Sequence, residues 1–364
     1  MKATWGSPVS KNHFDQLFVQ RRIDDGELES AFAAVIEPYA GQPAVESLQN
    51  LSIDGNENDS RRAVAVQVNV KDDERVKRSA RKDVCFSDGR PEKVRKVGEF
   101  KLSGQFSFVS EGPDGLRQMT LVGGRVLSAP GISMELSRRA YTAKIESIDY
   151  RAGTGALDTP LPTALLDDGF FEVGNEQHRT SLHVVSVKGR RFSFRKSPEI
   201  VTTRVISVDA QRGTVRTKLG MPPAGGKIRG MDSGLTATDE TRSQFYRCEF
   251  LGGSNAGGFT YRLTGEEVSE KVFPELSALR VYEFGPGDEL KMTAFASLRK
   301  MDEGDWQLKA NVSLKLILEG TSLAVFDSDF KPVDVSMDKK EGEIQVTLDE
   351  PMLMRGTLRL RVNK

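Results

Sequence analysis

Three histidines and two cysteines are the residues of this 364-residue chain best suited to proton transfer, nucleophilic attack or metal binding. His178 and His183 stand an odd five positions apart, so on one regular strand they face opposite sides and cannot share a metal ion. Cys85 and Cys248 are 163 positions apart, a spacing compatible with one long-range disulfide or with two buried thiols. H-E-x-x-H, paired Cys-x-x-Cys, G-x-S-x-G and phosphate-loop spacings are not found in the sequence. With them go the signatures of zinc-peptidase, α/β-hydrolase and nucleotide chemistry, and neither a metal nor a cofactor is expected. His13, between Asn12 and Phe14, is the one imidazole in a patterned setting. It could act as a general base or glycan contact, or as a strand-edge group bonded to backbone. The stretch Gly252-Gly253-Ser254-Asn255-Ala256-Gly257-Gly258 could offer backbone N–H groups to an anion. It lacks a strand-to-helix setting, so a surface loop is expected there.

Charge is the stronger signal. The 52 basic and 52 acidic residues cancel overall, which excludes a generally basic coat protein and an acidic tail. From His178 to Arg229, however, twelve basic residues face two acids, a net +10, while Glu266–Lys364 holds 14 basic against 19 acidic residues, a net −5. Within the basic stretch Arg191-Phe192-Ser193-Phe194-Arg195 alternates, so Arg191, Ser193 and Arg195 share one strand face and the two phenylalanines the other. With Lys188 and Arg190 just upstream, this is a candidate anion-binding row. Guanidinium forks match carboxylate, sulfate or phosphate, so an acidic polysaccharide or a nucleic acid would each fit. The phenylalanines point away from the row, which weakens a nucleic-acid reading because stacking aromatics belong beside the cations. A solvated strand face, or a dock for the acidic carboxy-terminal part, accounts for the same pattern.

The elements that must position these residues are strands. Short alternating runs bounded by Gly, Pro, Asp and Asn recur throughout, and no apolar run is long enough for a spanning helix. The expected fold is all-β, of stacked antiparallel sheets followed by a small carboxy-terminal β-sandwich. Ala63–Val70 puts Val64, Val66, Val68 and Val70 on one face. Further strands are expected at 104–109, 116–122, 143–150, 181–187 and 204–208, then 292–300, 306–318, 343–348 and 358–362. A hairpin is read from 16–20 and 30–36 about Asp24-Asp25-Gly26, with Glu37 reaching Arg21 or Arg22. A short helix interrupted by Pro274 is expected within 266–280. Composition breaks divide the chain into 1–150, 151–264 and 265–364. No fixed-period repeat is read.

Trp5-Gly6-Ser7-Pro8, His13-Phe14, Arg21-Arg22 and Phe32-Ala33-Ala34-Val35-Ile36-Glu37-Pro38-Tyr39, with Gly41 and Pro43, resemble the carboxy-terminal β region of heparinase II/III-like polysaccharide lyases. Ile145–Tyr150 and Tyr282–Asp288 are similar to later parts of that region. The resemblance implies a parent enzyme that cleaves acidic polysaccharides by β-elimination, typically periplasmic or secreted, with an α/α toroid ahead of its sheets. The toroid carries most of the family's catalytic groups and has no counterpart here. The resemblance therefore implies a truncated or accessory β portion that supplies scaffold and anionic-glycan contacts and works with a missing or separate toroid. His13 is a catalytic candidate by proximity only. No signal peptide and no membrane span are read.

Overall fold

The computed structural model describes residues 2–6, 13–17, 35, 37, 43–56, 63–72, 79–161, 169–195, 199–220, 233–239, 244–264, 276–340, 342–353 and 356–363. Strand makes up 64% of the structure and helix 1%, so the all-β expectation holds and a helical body is excluded. The chain forms two compact units, Met1–Ser133 and Met134–Lys364. The divisions expected after 150 and 264 both fall inside the second unit, because barrel closure hydrogen-bonds strands from either side of each.

In the first unit, β1 (Lys2–Gly6) pairs antiparallel with β2 (His13–Leu17). Next come β3 (Val45–Asn50), β4 (Val64–Val70), β5 (Arg81–Ser87), β6 (Arg95–Val97), β7 (Phe100–Leu102), β8 (Phe106–Gly112), β9 (Gly115–Val122) and β10 (Val126–Ala129). Strands β3, β4, β5, β8 and β9 are successive neighbours in one sheet, and β7 pairs with β6 and β10. Strand β4 starts one residue inside the expected Ala63–Val70 run and ends with it, although only Val68 and Val70 of the four valines are buried, and Ala65 fills the opposite face. The Glu37 carboxylate accepts hydrogen bonds from the amides of Ala44 and Val45, while the expected partners Arg21 and Arg22, and the 16–36 hairpin apart from β2 and Val35, lie outside the described residues. Strand β11 (Ile132–Leu136) spans the division.

The second unit contains an architecture that the sequence reading missed. Strands β12 (Ala140–Asp149), β13 (Thr154–Leu157), β14 (Gly169–Gly174), β15 (Arg179–Lys188) and β16 (Arg191–Phe194) begin a closed barrel. Before it is complete, β17 (Glu199–Asp209), β18 (Thr214–Thr217), β19 (Leu235–Thr238), β20 (Phe245–Ser254), β21 (Gly258–Thr264) and β22 (Ala278–Tyr282) form a second, and β23 (Glu289–Thr293) then closes the first. The strand orders are β12-β13-β16-β15-β14-β23 and β17-β18-β21-β20-β19-β22, one topology used twice, with the second copy inserted into the last connection of the first. The register repeats as well. Ile145 faces Leu157, Ile148 faces Gly155 and Asp149 faces Thr154, and sixty positions later Val205 faces Thr217, Val208 faces Val215 and Asp209 faces Thr214. A β-bulge falls at the same place in both, between Ile145 and Ser147 and between Val205 and Ser207. Gly153 and Gly213 hold equivalent turns at φ 65° and 61°, where a Cβ would be strained. The absence of a fixed-period repeat is thus corrected: the structure repeats once, and the shared Ser, Asp and Gly-Thr at 147, 149 and 153–154 and at 207, 209 and 213–214 are its faint trace.

Both barrels are filled. Phe250, Phe259, Tyr261, Leu279 and Val281 pack inside the second, and Ile145, Leu157, Val173, Val184 and Leu290 are buried in the first. Six strands enclose too little space for a channel. Apolar side chains point in and charged ones out, the reverse of a membrane-spanning barrel. Among the described residues no helix is long and apolar enough to cross a membrane.

The unit ends in two antiparallel sheets built from β24 (Phe295–Asp302), β25 (Asp305–Ala310), β26 (Leu314–Glu319), β27 (Ser322–Phe326), β28 (Ser336–Lys340), β29 (Glu343–Leu348), the short helix α1 (Glu350–Leu353) and β30 (Leu358–Asn363). Within the sheets these strands run in the orders β27-β30-β25-β24 and β28-β29-β26. The runs 292–300 and 306–318, each read as one strand, are broken at Ala294 and at 311–313. The helix expected within 266–280 is corrected where it is described, since Ala278–Tyr282 is the strand that closes the second barrel; 266–275 lie outside the described residues.

Candidate functional site

The basic row lies on the first barrel. Strands β15 and β16 form a hairpin in which Lys188 opposes Arg191 across the two-residue turn Gly189-Arg190, with Gly189 at φ 62°. Phe192 and Phe194 turn inward and are buried, while Arg191 and Arg195 are exposed, as alternation requires. The inward pair is seated by small neighbours and by other rings. Phe192 lies against Gly155, its partner on β13, where a Cβ would meet the ring at 2.5 Å, and Phe194 meets Phe284 edge-on at 6.0 Å. Ser186 and Ser193 join their hydroxyls at 2.8 Å on the outer side.

The four candidate cations do not act alike. Arg190 donates from Nε to the Leu157 carbonyl at 2.7 Å and from Nη2 to Glu146 at 2.7 Å, so it stitches the turn to β12 and β13. Lys188 and Arg191 oppose each other as like charges on an exposed face, a pairing that disfavours the isolated barrel and that an anion relieves. Arg195 flanks them, its amide bonded to the His183 carbonyl. His13 opposes Gly6 in the first unit. His178 is buried just ahead of β15, and His183 faces Phe170 across β14 and β15. Both cysteines are free thiols, and burial raises the pKa of each. No cluster of three metal-ligating side chains exists among the described residues.

A densely bonded polar centre among the described residues is one the sequence reading passed over. Asp288 sits where the chain leaves the second barrel after Tyr282 and re-enters the first at Glu289, and it is fully buried. Its Oδ1 accepts from Arg247 Nη1 at 2.6 Å and from Asn175 Nδ2 at 2.9 Å, and its Oδ2 from the Gly285 amide at 2.8 Å. The Asn175 amide also donates to the Gly234 carbonyl at 2.7 Å, and its Oδ1 accepts from the amides of Gln177 and His178. The Ile145 amide donates to the Asp288 carbonyl and the Gly287 amide to the Ile145 carbonyl, each at 2.8 Å. One carboxylate therefore ties Asn175 of the first barrel to Arg247 of the second. Beside it Tyr150, just beyond β12, stacks on Tyr282 of β22 with centroids 3.6 Å apart and planes 3° from parallel, and donates its hydroxyl to the Phe284 carbonyl at 2.6 Å. The sequence held one signal for this junction, the Gly285-Pro286-Gly287-Asp288 turn; its partners are 41 and 113 positions away.

Comparison of the chain with family models, curated proteins and solved structures returns no match. The resemblance to lyases rests on the quoted residues alone, and most of its densest block, 5–43, lies outside the described residues.

Proposed function

We propose that this chain is a non-catalytic binding scaffold that uses the outer face of its first barrel to hold an anionic polymer, with an acidic polysaccharide as the ligand class. The observation that carries the reading is the exposed Lys188–Arg191 pair, like charges set opposite each other with Arg195 alongside. Its support is electrostatic. The opposed Lys188 and Arg191 cost the barrel a little in self-repulsion, and sulfate or carboxylate groups spaced along a chain offset that cost. The clamp around Asp288 suits a scaffold, because it uses a fully buried carboxylate to fix two barrels together and leaves the recognition face to the strand exteriors. In this reading Arg190 positions the hairpin and Lys188, Arg191 and Arg195 touch the ligand.

Affinity electrophoresis through gels containing heparin, heparan sulfate, alginate or hyaluronate tests it. Retardation at low salt by at least one of these, lost in K188E/R191E with the melting temperature kept, is the expected result. Free migration through all four would refute the proposal, and stronger retention by a single-stranded oligonucleotide would move the ligand class to nucleic acid. Incubation with the same glycans, followed by unsaturated-uronate absorbance, should show no cleavage.

A further inference from the structure

The duplicated barrel supplies its own control surface. At equivalent positions one copy is electrostatically closed and the other open. In the first barrel the ladder beyond the bulge ends with the Asp158 amide donating to the Lys144 carbonyl at 2.9 Å, so an acid and a base stand side by side, and the Asp158 carboxylate is held below its usual pKa by the Lys144 amide. The bulge itself projects one extra residue, Glu146, and Arg190 pairs with it. In the second barrel the same ladder position joins the Lys218 amide to the Arg204 carbonyl at 2.9 Å, so two bases stand side by side. The extra residue of the bulge is Ile206, 55% exposed, and Leu219 beside Lys218 is 51% exposed. Arg216 completes the group, fixed by a 2.5 Å hydrogen bond from its Nε to the Gly257 carbonyl. Gly258 forms the floor, where a Cβ would lie 3.1 Å from Arg216 Nε and 3.2 Å from Ile206 Cδ1. No carboxylate among the described residues pairs with Arg204, Arg216 or Lys218.

We infer that this face of the second barrel, Ile206 and Leu219 set among Arg204, Arg216 and Lys218, is a docking surface for a protein segment that carries both carboxylates and aliphatic side chains. A bulge re-aims one side chain out of the pleat, and here the re-aimed residue is apolar where its counterpart is a paired acid. Apolar anchors ringed by arginines are the composition of an interface centre. Three cations with no carboxylate partner among the described residues fix the sign of the partner, and two aliphatic side chains add what a purely anionic polymer would not use.

The test is fluorescence anisotropy with two labelled probes of equal length and charge, a peptide alternating glutamate with leucine and one alternating glutamate with serine. Phosphatidylserine vesicles serve as a third probe. At low salt the leucine peptide should bind the full chain at least about tenfold more tightly than the serine peptide. R204E/K218E should abolish binding of both. I206S should remove the preference for leucine while leaving the serine peptide unaffected, and K188E/R191E should change neither. Equal binding of the two peptides, binding that survives R204E/K218E, or an Ile206-dependent affinity confined to vesicles would each overturn the inference. Because the substituted residues are exposed, melting temperatures close to that of the parent are expected throughout. Loss of glycan retention in K188E/R191E alone would bear on the first-barrel proposal and leave this one standing.

Discussion

Replacing Asp288 tests the claim that the two barrels are locked by a buried charge. The carboxylate is wholly inaccessible and accepts from a guanidinium, a side-chain amide and a backbone amide. Breaking a buried ion pair by removing one partner costs about 3–5 kcal/mol, most of it the penalty of leaving the other charge uncompensated. Here the abandoned group is Arg247, whose side chain is 34% exposed and can recover some hydration, so Asp288→Ala belongs near ~3 kcal/mol. For a unit of this length that corresponds to a fall of roughly 6–12 °C in melting temperature. Arg247→Met should cost more, since it strands the fully buried Asp288 instead. The double variant Asp288→Ala with Arg247→Met should recover a large part of the loss, giving a coupling of at least about 1.5 kcal/mol. Calorimetry and urea unfolding of the four proteins supply the cycle. A loss below about 1 kcal/mol for Asp288→Ala, or additive single effects, would refute the reasoning.

Other substitutions probe the parts of the barrels separately. Gly155→Ala drives a methyl into the Phe192 ring and should cost ~1–3 kcal/mol in thermal unfolding, whereas Gly189→Ala, with no atom within 4 Å of the new methyl, should cost only the strain of its turn. Tyr150→Phe keeps the stack on Tyr282 but strips the Phe284 carbonyl of its donor, so a loss of ~1–2 kcal/mol is expected in urea unfolding. Burial raises the Glu172 pKa, but hydrogen bonds from Arg179 and Lys291 outweigh it and the folded value lies below the usual one. The group therefore stabilises above the unfolded pKa, and its contribution fades as pH falls through the folded one. Glu172→Gln should remove ~0.5–1 kcal/mol at pH 7 and flatten the acid side of the stability profile below about pH 5. Burial holds both thiols above the ordinary cysteine value, so neither should react quickly with a thiol reagent at pH 8. Half-exposed Cys85 should label first, and buried Cys248 only in denaturant.

What the sequence determined by itself was local. Alternation with period two depends only on backbone geometry, so Phe192 and Phe194 could be assigned inward and Arg191 and Arg195 outward from five consecutive letters. The turn at Pro113-Asp114 and the strand Val64–Val70 were legible for the same reason. Which strand pairs with which is a different kind of information. Closing a barrel joins β12 to β23 across about 150 positions, and nothing in either segment names the other. The second copy of the barrel was hidden because its pairing geometry was retained while most side chains changed, leaving few identities sixty positions apart. Only the tertiary structure paired Arg190 with Glu146, 2.7 Å away, and only it gave Asp288 a role. A charge acquires its meaning from the partner that folding brings beside it, and sequence distance carries no record of that approach.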